Sequence, residues 1–293
     1  MIIETQNDVT AAVLQGMDRT PDPRTREILG ALVRHLHAFV REVRLTEHEF
    51  QEAVALVNAI GQRTTPSHNE AMLMAGALGL SNLVCLMNNG GNGARPTQAN
   101  NLGPFWRADS PLCEDGASFV RSPTPGPELR FTGWVKDAAG SPIAGAEVDV
   151  WHPSPAGLYE NQDPAQGDMN LRGKFTTRPD GGFSFRSVNP AGYAVPVDGP
   201  TGALLRAQNR HNMRPAHIHF LVHKAGYKTI ASQVYDPGDP HLETDSQFGV
   251  TKALIGDFVK TGGRYALEFT FVLEPGESRL PKPPITGKAP AGT

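Results

Sequence analysis

Apolar residues in the first ninety positions recur at intervals of three and four. Ile28, Leu29, Leu32, Val33, Leu36, Phe39, Val40 and Val43 mark one face of a helix, and Phe50, Val54, Val57 and Ile60 continue the stripe on a second. Thr46 followed by Glu49 has capping-box spacing, and Ser67 followed by Glu70 repeats it ahead of a nearly apolar run, AMLMAGALGLSNLVCLM, over residues 71–87. That run predicts one helix buried in a core or at a subunit contact. It is interrupted by Ser81 and Asn82, and it falls short of the roughly 20 apolar residues that span a membrane. The N-terminal third therefore predicts three or more helices.

Residues 88–101 (NNGGNGARPTQANN) break this period and predict a loop. Beyond them the period changes to two. Residues 130–136 and 146–152 alternate around a Gly/Pro turn at 140–145, and further strands are expected at 173–177, 182–188, 216–223, 229–235 and 264–272. Short strands separated by Gly, Pro and Asp turns indicate an antiparallel β-sandwich. The proline-rich residues 275–293 predict an extended arm. The expected organisation is thus a helical domain over 1–100, a β-sandwich over 101–274 and a tail over 275–293.

Composition narrows the function classes. Lys+Arg is 27 against Asp+Glu 30, a net charge of −3, so the chain lacks the basic excess of a non-specific nucleic-acid binder. Cys85 and Cys113 make neither a disulfide scaffold nor a C-x-x-C pair. The polar, acidic first ten residues lack the basic and apolar regions of a signal peptide, so a cytoplasmic location is expected.

The chemistry-bearing residues lie in the β region. His217 and His219 flank Ile218 in RPAHIHFLV, a strand by composition. Side chains at i and i+2 share one face about 7 Å apart, close enough to meet at one metal ion, although two packed histidines would give the same pattern. Neither cysteines nor a suitably placed carboxylate completes a zinc or ferrous site. Tyr159 in PAGLYENQD and Tyr193 in NPAGYAVPVDGPTG occupy turn-like contexts. A phenolate is a strong ligand for a hard trivalent cation, and a packed aromatic is the alternative at either position.

Over Gly103 to about Lys260 the chain resembles the intradiol ring-cleaving dioxygenases. The matching pieces are GPFW at 103–106, GWVKDAAGSPIAGAEVDVWH at 133–152, GLY at 157–159, the run from Asn170 to Gly202, and RHNMRPAHIHFLV at 210–222. The helical third resembles the extra domain of the catechol and hydroxyquinol members, which dimerise through it. The resemblance implies one non-haem Fe(III) per subunit, held by axial Tyr193 and His219 and equatorial Tyr159 and His217, with hydroxide or water as a fifth ligand. It implies that Arg214 stabilises negative charge on the substrate and that Gln233 stands behind the ligands. Both atoms of O₂ would enter an aromatic 1,2-diol, giving a dicarboxylic acid. A homodimer follows from the same resemblance, with a phospholipid at the subunit contact as a further expectation.

SQVYDPGDPHLETDSQFGV at 232–250, with its Gly-Asp-x-x-Leu-x-x-Asp and Phe-Gly-Val, resembles the hydroxyquinol branch more than the catechol branch. That implies benzene-1,2,4-triol as substrate and 3-hydroxy-cis,cis-muconate, equivalent to maleylacetate, as product. Catechol or a substituted catechol is the alternative. The implied pocket comprises Leu73, Gly76, Leu102, Gly103, Pro104, Phe105, Val195 and Pro196. Hydroxyquinol enzymes tend to carry an aspartate near Gly76, so Gly76 is expected to enlarge the pocket and leave a third hydroxyl without a partner. Residues 133–188 also resemble prealbumin-like modules, which bind without catalysis.

Overall fold

The structure is a computed structural model describing residues 2–89 and 96–288. Residues 90–95 of the expected loop and 289–293 of the expected arm lie outside the described residues. The chain divides into two compact units, Met1–Asn58 and Ala59–Thr293.

The first unit holds α1 (Asp8–Gly16), α2 (Pro23–Val43) and most of α3 (Glu47–Arg63). Asp22 caps α2 by accepting from the Thr25 N–H at 2.6 Å, with Pro23 at the first helical position. The Thr46–Glu49 capping box forms as its spacing predicts: the Glu49 carboxylate accepts from the Thr46 N–H at 2.8 Å, and the Thr46 hydroxyl accepts in return from Glu49 N–H. The predicted stripe lies on α2 but is not covered by the described residues of its own unit. Leu32, Leu36 and Phe39 are each about half exposed, and Gly30 is the only buried residue of the helix.

In the second unit the run over 71–87 forms two helices rather than one. α4 (Glu70–Ala77) and α5 (Leu80–Asn89) meet at 77° across Gly79, whose φ of +72° ends the first helix in the left-handed region. No single helix among the described residues is long and apolar enough to cross a membrane. The Ser67–Glu70 capping box does not form. Asn69 caps α4 instead, accepting from the Met72 N–H at 3.0 Å. Glu70 is buried and turns to the N-terminus of α6 (Pro200–Ala207), where it accepts from the Thr201 N–H at 2.7 Å. His68 Nε2 lies 2.6 Å from the same carboxylate.

Two four-stranded sheets form the sandwich. β1 (Glu128–Asp137), β4 (Gly182–Val188), β9 (Asp257–Thr261) and β10 (Arg264–Leu273) are ordered β4-β1-β10-β9. β2 (Glu147–Trp151), β3 (Arg172–Thr176), β7 (His217–His223) and β8 (Ile230–Tyr235) are ordered β3-β2-β7-β8. A short ribbon pairs β5 (Tyr193–Ala194) with β6 (Met213–Arg214). All pairings are antiparallel except β1 with β10, which run parallel from Leu129↔Tyr265 to Asp137↔Leu273. Alternation on β1 turns Leu129, Phe131 and Val135 inward, where they meet Phe183, Phe185, Phe220 and Phe271. Each such aromatic contributes about 1.5–3 kcal/mol by leaving water. β9 was not expected: it is a mostly exposed edge strand and carries no alternating pattern.

Candidate active site

β7 is buried on both faces. Ile218, Phe220 and Val222 enter the sandwich core, so strand periodicity sends His217 and His219 to the opposite face. His217 pairs in register with Tyr235, and His219 stands between Trp151 and Gln233. The Trp151 indole stacks on the His219 ring, 4.7 Å between centroids and 9° from parallel. The two Nε2 atoms are 3.1 Å apart. His217 Nδ1 lies 2.7 Å from the Pro215 carbonyl, which can only accept, so Nδ1 carries the proton and Nε2 presents a lone pair. Burial, followed by the Arg214 charge, drives the His217 pKa down to about 3. Burial, with His217 adding to it, holds His219 well below its usual range. Both rings are thus neutral donors.

Tyr159 and Tyr193 come from the turns in which the sequence places them. Gly157, at φ +79°, brings its loop against β5; a Cβ there would lie 3.3 Å from Tyr193 Cβ. The tyrosine rings meet edge to face at 5.4 Å and 87°. Tyr159 lies 6.2 Å from the His219 ring and Tyr193 5.6 Å from the His217 ring, centroid to centroid. All four side chains are at most 2% exposed. The Tyr159 hydroxyl and His219 Nδ1 are buried without a hydrogen-bond partner. Burial, then the neighbouring Tyr193, push the Tyr159 phenol well above its usual range.

An orphaned phenol facing neutral imidazoles fits a cation site. Leaving a buried hydroxyl unsatisfied costs about 1–3 kcal/mol, which a bound cation would relieve by taking the phenolate oxygen as a ligand. Imidazole nitrogen with phenolate oxygen suits a hard transition-metal ion. Among the described residues no group of three or more His, Cys, Asp and Glu side chains could hold a metal. A metal in this cluster therefore needs the tyrosines.

Arg214 stands opposite Tyr193 on the β5–β6 ribbon. Its Nε and Nη2 donate to the two Asp245 oxygens, each at 3.0 Å, and Nη2 also donates to Gln233 Oε1 at 2.9 Å. Its Nη1 is 3.2 Å from His217 Nε2. Burial opposes the guanidinium charge, but Asp245, Tyr235 and Tyr193 together outweigh it, so the group stays protonated. Gln233 is fixed in turn: its Nε2 donates to the Asn101 carbonyl at 2.6 Å, and its Oε1 accepts from Tyr235 at 2.5 Å. Asp245 and Tyr235 were not singled out by function. The signal for Asp245 was present, since it is the last residue of Gly-Asp-x-x-Leu-x-x-Asp. The first aspartate of that motif, Asp239, accepts from the Ala216 N–H at 2.9 Å, so both tie down the approach to the histidines.

A cavity of about 210 Å³ opens beside this cluster, lined by Leu73, Gly76, Leu102, Gly103, Pro104, Phe105, Tyr193, Val195 and Arg214, among others. A dry cavity of about 150 Å³ holds a benzene ring, so this one has room for a ring with substituents. Seven of the eight expected pocket residues line it, and Pro196 does not. Gly103, at φ +74°, lets its backbone pass close to His219; a Cβ there would meet His219 Cε1 at 3.2 Å. The expectation that Gly76 leaves open space is corrected. The Gln247 amide fills that space, with Oε1 where a Cβ on residue 76 would lie. Phe105 stacks on Tyr159 at 4.5 Å, and its carbonyl accepts from Arg172 at 2.6 Å. Arg172 also donates to Glu160 and Asn161 at 3.0 Å, clamping the Tyr159 loop to the pocket segment. Trp106 is buried and donates to Asp149 at 3.0 Å.

Comparison with known proteins identifies the family. The family model described as "Dioxygenase" matches residues 102–275, and that described as "Catechol dioxygenase N terminus" matches residues 22–94. An intradiol ring-cleavage dioxygenase of Aspergillus niger is 41% identical over 85% of this chain and 81% of its own length. The 6-chlorohydroxyquinol 1,2-dioxygenase of Cupriavidus pinatubonensis is 40% identical over 92% of this chain and 98% of its own. The crystal structure of a hydroxyquinol 1,2-dioxygenase from Pseudomonas putida DLL-E4 superposes with a TM-score of 0.81 at 33% identity, covering 92% of this chain and 99% of that one. The chain belongs to the intradiol ring-cleaving dioxygenases, on their hydroxyquinol branch, and is an enzyme of that family.

Proposed function

We propose that the chain cleaves hydroxyquinol between its adjacent hydroxyl-bearing carbons, with both atoms of O₂ entering 3-hydroxy-cis,cis-muconate. The observation that carries this is the meeting of two buried phenols and two neutral imidazoles beside a ring-sized cavity whose wall one of them, Tyr193, forms with Arg214. Tyr159, Tyr193, His217 and His219 would hold one ferric iron. Iron there supplies Lewis acidity toward the two diol oxygens. The remaining work falls to the chain. Tyr193 reaches the cavity wall and is the base for a substrate proton at its phenolate oxygen. Arg214, held on the same wall by Asp245 and Gln233, favours negative charge as it develops on the ring. Phe105, stacked on Tyr159, and Leu73 and Val195 keep water from the ring.

Names among the curated relatives favour the triol over catechol, and one names a chlorinated triol. The half-exposed stripe on α2 supports a homodimer through the N-terminal helices. A groove of about 700 Å³ in the first unit, lined by Val9, Leu36, Phe39, Val40 and Phe50, supports an acyl chain of a phospholipid there. The free thiols of Cys85 and Cys113 suit a reducing cytoplasm.

The test is oxygen uptake by iron-loaded protein with hydroxyquinol and catechol side by side, corrected for autoxidation of the triol. Fast uptake with the triol and slow uptake with catechol is expected, from a red-brown protein containing one iron per chain. The reverse preference would move the assignment to catechol. A colourless protein that takes up no oxygen with either would leave a binding module.

A further inference from the structure

Gln247 and Gly76 face each other across the cavity wall, and their geometry is reciprocal. A Cβ on residue 76 would lie 2.0 Å from Gln247 Oε1 and 3.0 Å from its Cδ, so the amide fits only because residue 76 has no side chain. Gln247 is 5% exposed and lines the cavity with Tyr193 and Arg214. Its backbone N–H donates to Asp245 Oδ1 at 3.1 Å, the oxygen that also accepts from Arg214 Nε. The amide is therefore built into the loop that anchors the cavity's cation. Its Nε2 makes one long contact, to the Ser246 carbonyl at 3.4 Å. Among the described residues no hydrogen bond to Oε1 is formed. The rest of the lining is mostly apolar, so this oxygen is an acceptor with nothing to accept from in a wall that otherwise suits a bare ring.

We infer that Gln247 is a specificity-determining residue whose side-chain carbonyl accepts a hydrogen bond from a ring hydroxyl additional to the cleaved pair, in space that Gly76 keeps clear. This rests on the proposed diol-cleaving activity and adds how a triol is told from a diol. A neutral acceptor suits a hydroxyl, whereas a ring without one leaves the buried amide unpaired. Sites built to bond a hydroxyl reject the analogue lacking it for this reason.

The experiment compares kcat/KM for hydroxyquinol and catechol in the iron-loaded full chain and in three variants, together with diol affinity measured without oxygen. Gln247→Leu keeps the bulk and removes the acceptor, so the triol-to-catechol ratio should fall about tenfold, chiefly through weaker triol binding. Gln247→Glu keeps an acceptor and should retain the preference. Gly76→Ala displaces only the far end of a flexible side chain, so it should fold and lower the ratio in the same direction. It should have little further effect when combined with Gln247→Leu, because both act on one amide. An unchanged ratio in Gln247→Leu, in a folded and iron-replete protein, overturns the inference while leaving diol cleavage in place. Absence of oxygen uptake by the unaltered chain with either compound overturns both.

Discussion

The Tyr159 hydroxyl is buried, unpartnered and pushed toward its neutral form, an arrangement that costs stability unless a ligand takes up the oxygen. Tyr159→Phe should therefore have opposite effects in two states. In chelator-treated protein the variant should unfold at higher urea, by about 1–3 kcal/mol, because an unsatisfied group has gone. With iron present, it should lose colour, metal and turnover. Urea melts of both forms side by side check this, and a destabilised metal-free variant would show that the hydroxyl has a partner. The four proposed donors were legible through the family resemblance of the motifs around them, since their types and spacing alone fit packed histidines and aromatics equally well. Asp245 and Gln247 were harder. Each acts through a contact with a residue far away in the chain, Arg214 and Gly76, and no local period encodes such a meeting.

On β2, the side chain facing away from the sandwich core at position 149 is a carboxylate. Burial raises the Asp149 pKa to about 6, only partly offset by hydrogen bonds from Trp106 and Ser110. The folded protein thus holds this proton more tightly than the unfolded chain. The stability it contributes is fully present below about pH 4 and is lost as pH rises through about 6. Asp149→Asn should flatten that part of the pH–stability curve and raise stability above pH 6 by about 3 kcal/mol. Chemical unfolding from pH 4 to 8 checks the slope. Among the elements, the strands with an inward face were legible from alternation. β9 was not, because an edge strand has no buried face to write into the sequence. α6 follows a Gly-Pro turn and spans only Pro200–Ala207, too short for a clear period. The bend between α4 and α5 depends on one glycine at positive φ inside a run that is apolar throughout.

At the scale of the molecule, the apolar face of α2 is not covered within its own unit, with Leu36 and Phe39 about half exposed. If that face is a subunit contact, Leu36→Glu combined with Phe39→Glu should convert a dimer to a monomer in sedimentation while the far-ultraviolet spectrum is kept. A variant still dimeric would place the contact elsewhere. The stripe was legible and its cover was not, since one chain's sequence does not say what faces it. Sheet order was likewise hidden, because alternation marks strands without naming neighbours. The parallel pair at the centre of the first sheet bears on how the protein is made. β10 inserts between β1 and β9, and Leu129 waits for Tyr265. At ribosomal rates of about 5–20 residues per second, that wait is on the order of ten seconds. Throughout it, the nascent chain holds out a strand edge, and Phe183 and Phe220 lack the Phe271 ring that packs on them. Expression of this enzyme is therefore expected to respond to chaperone supply and to truncation before residue 273.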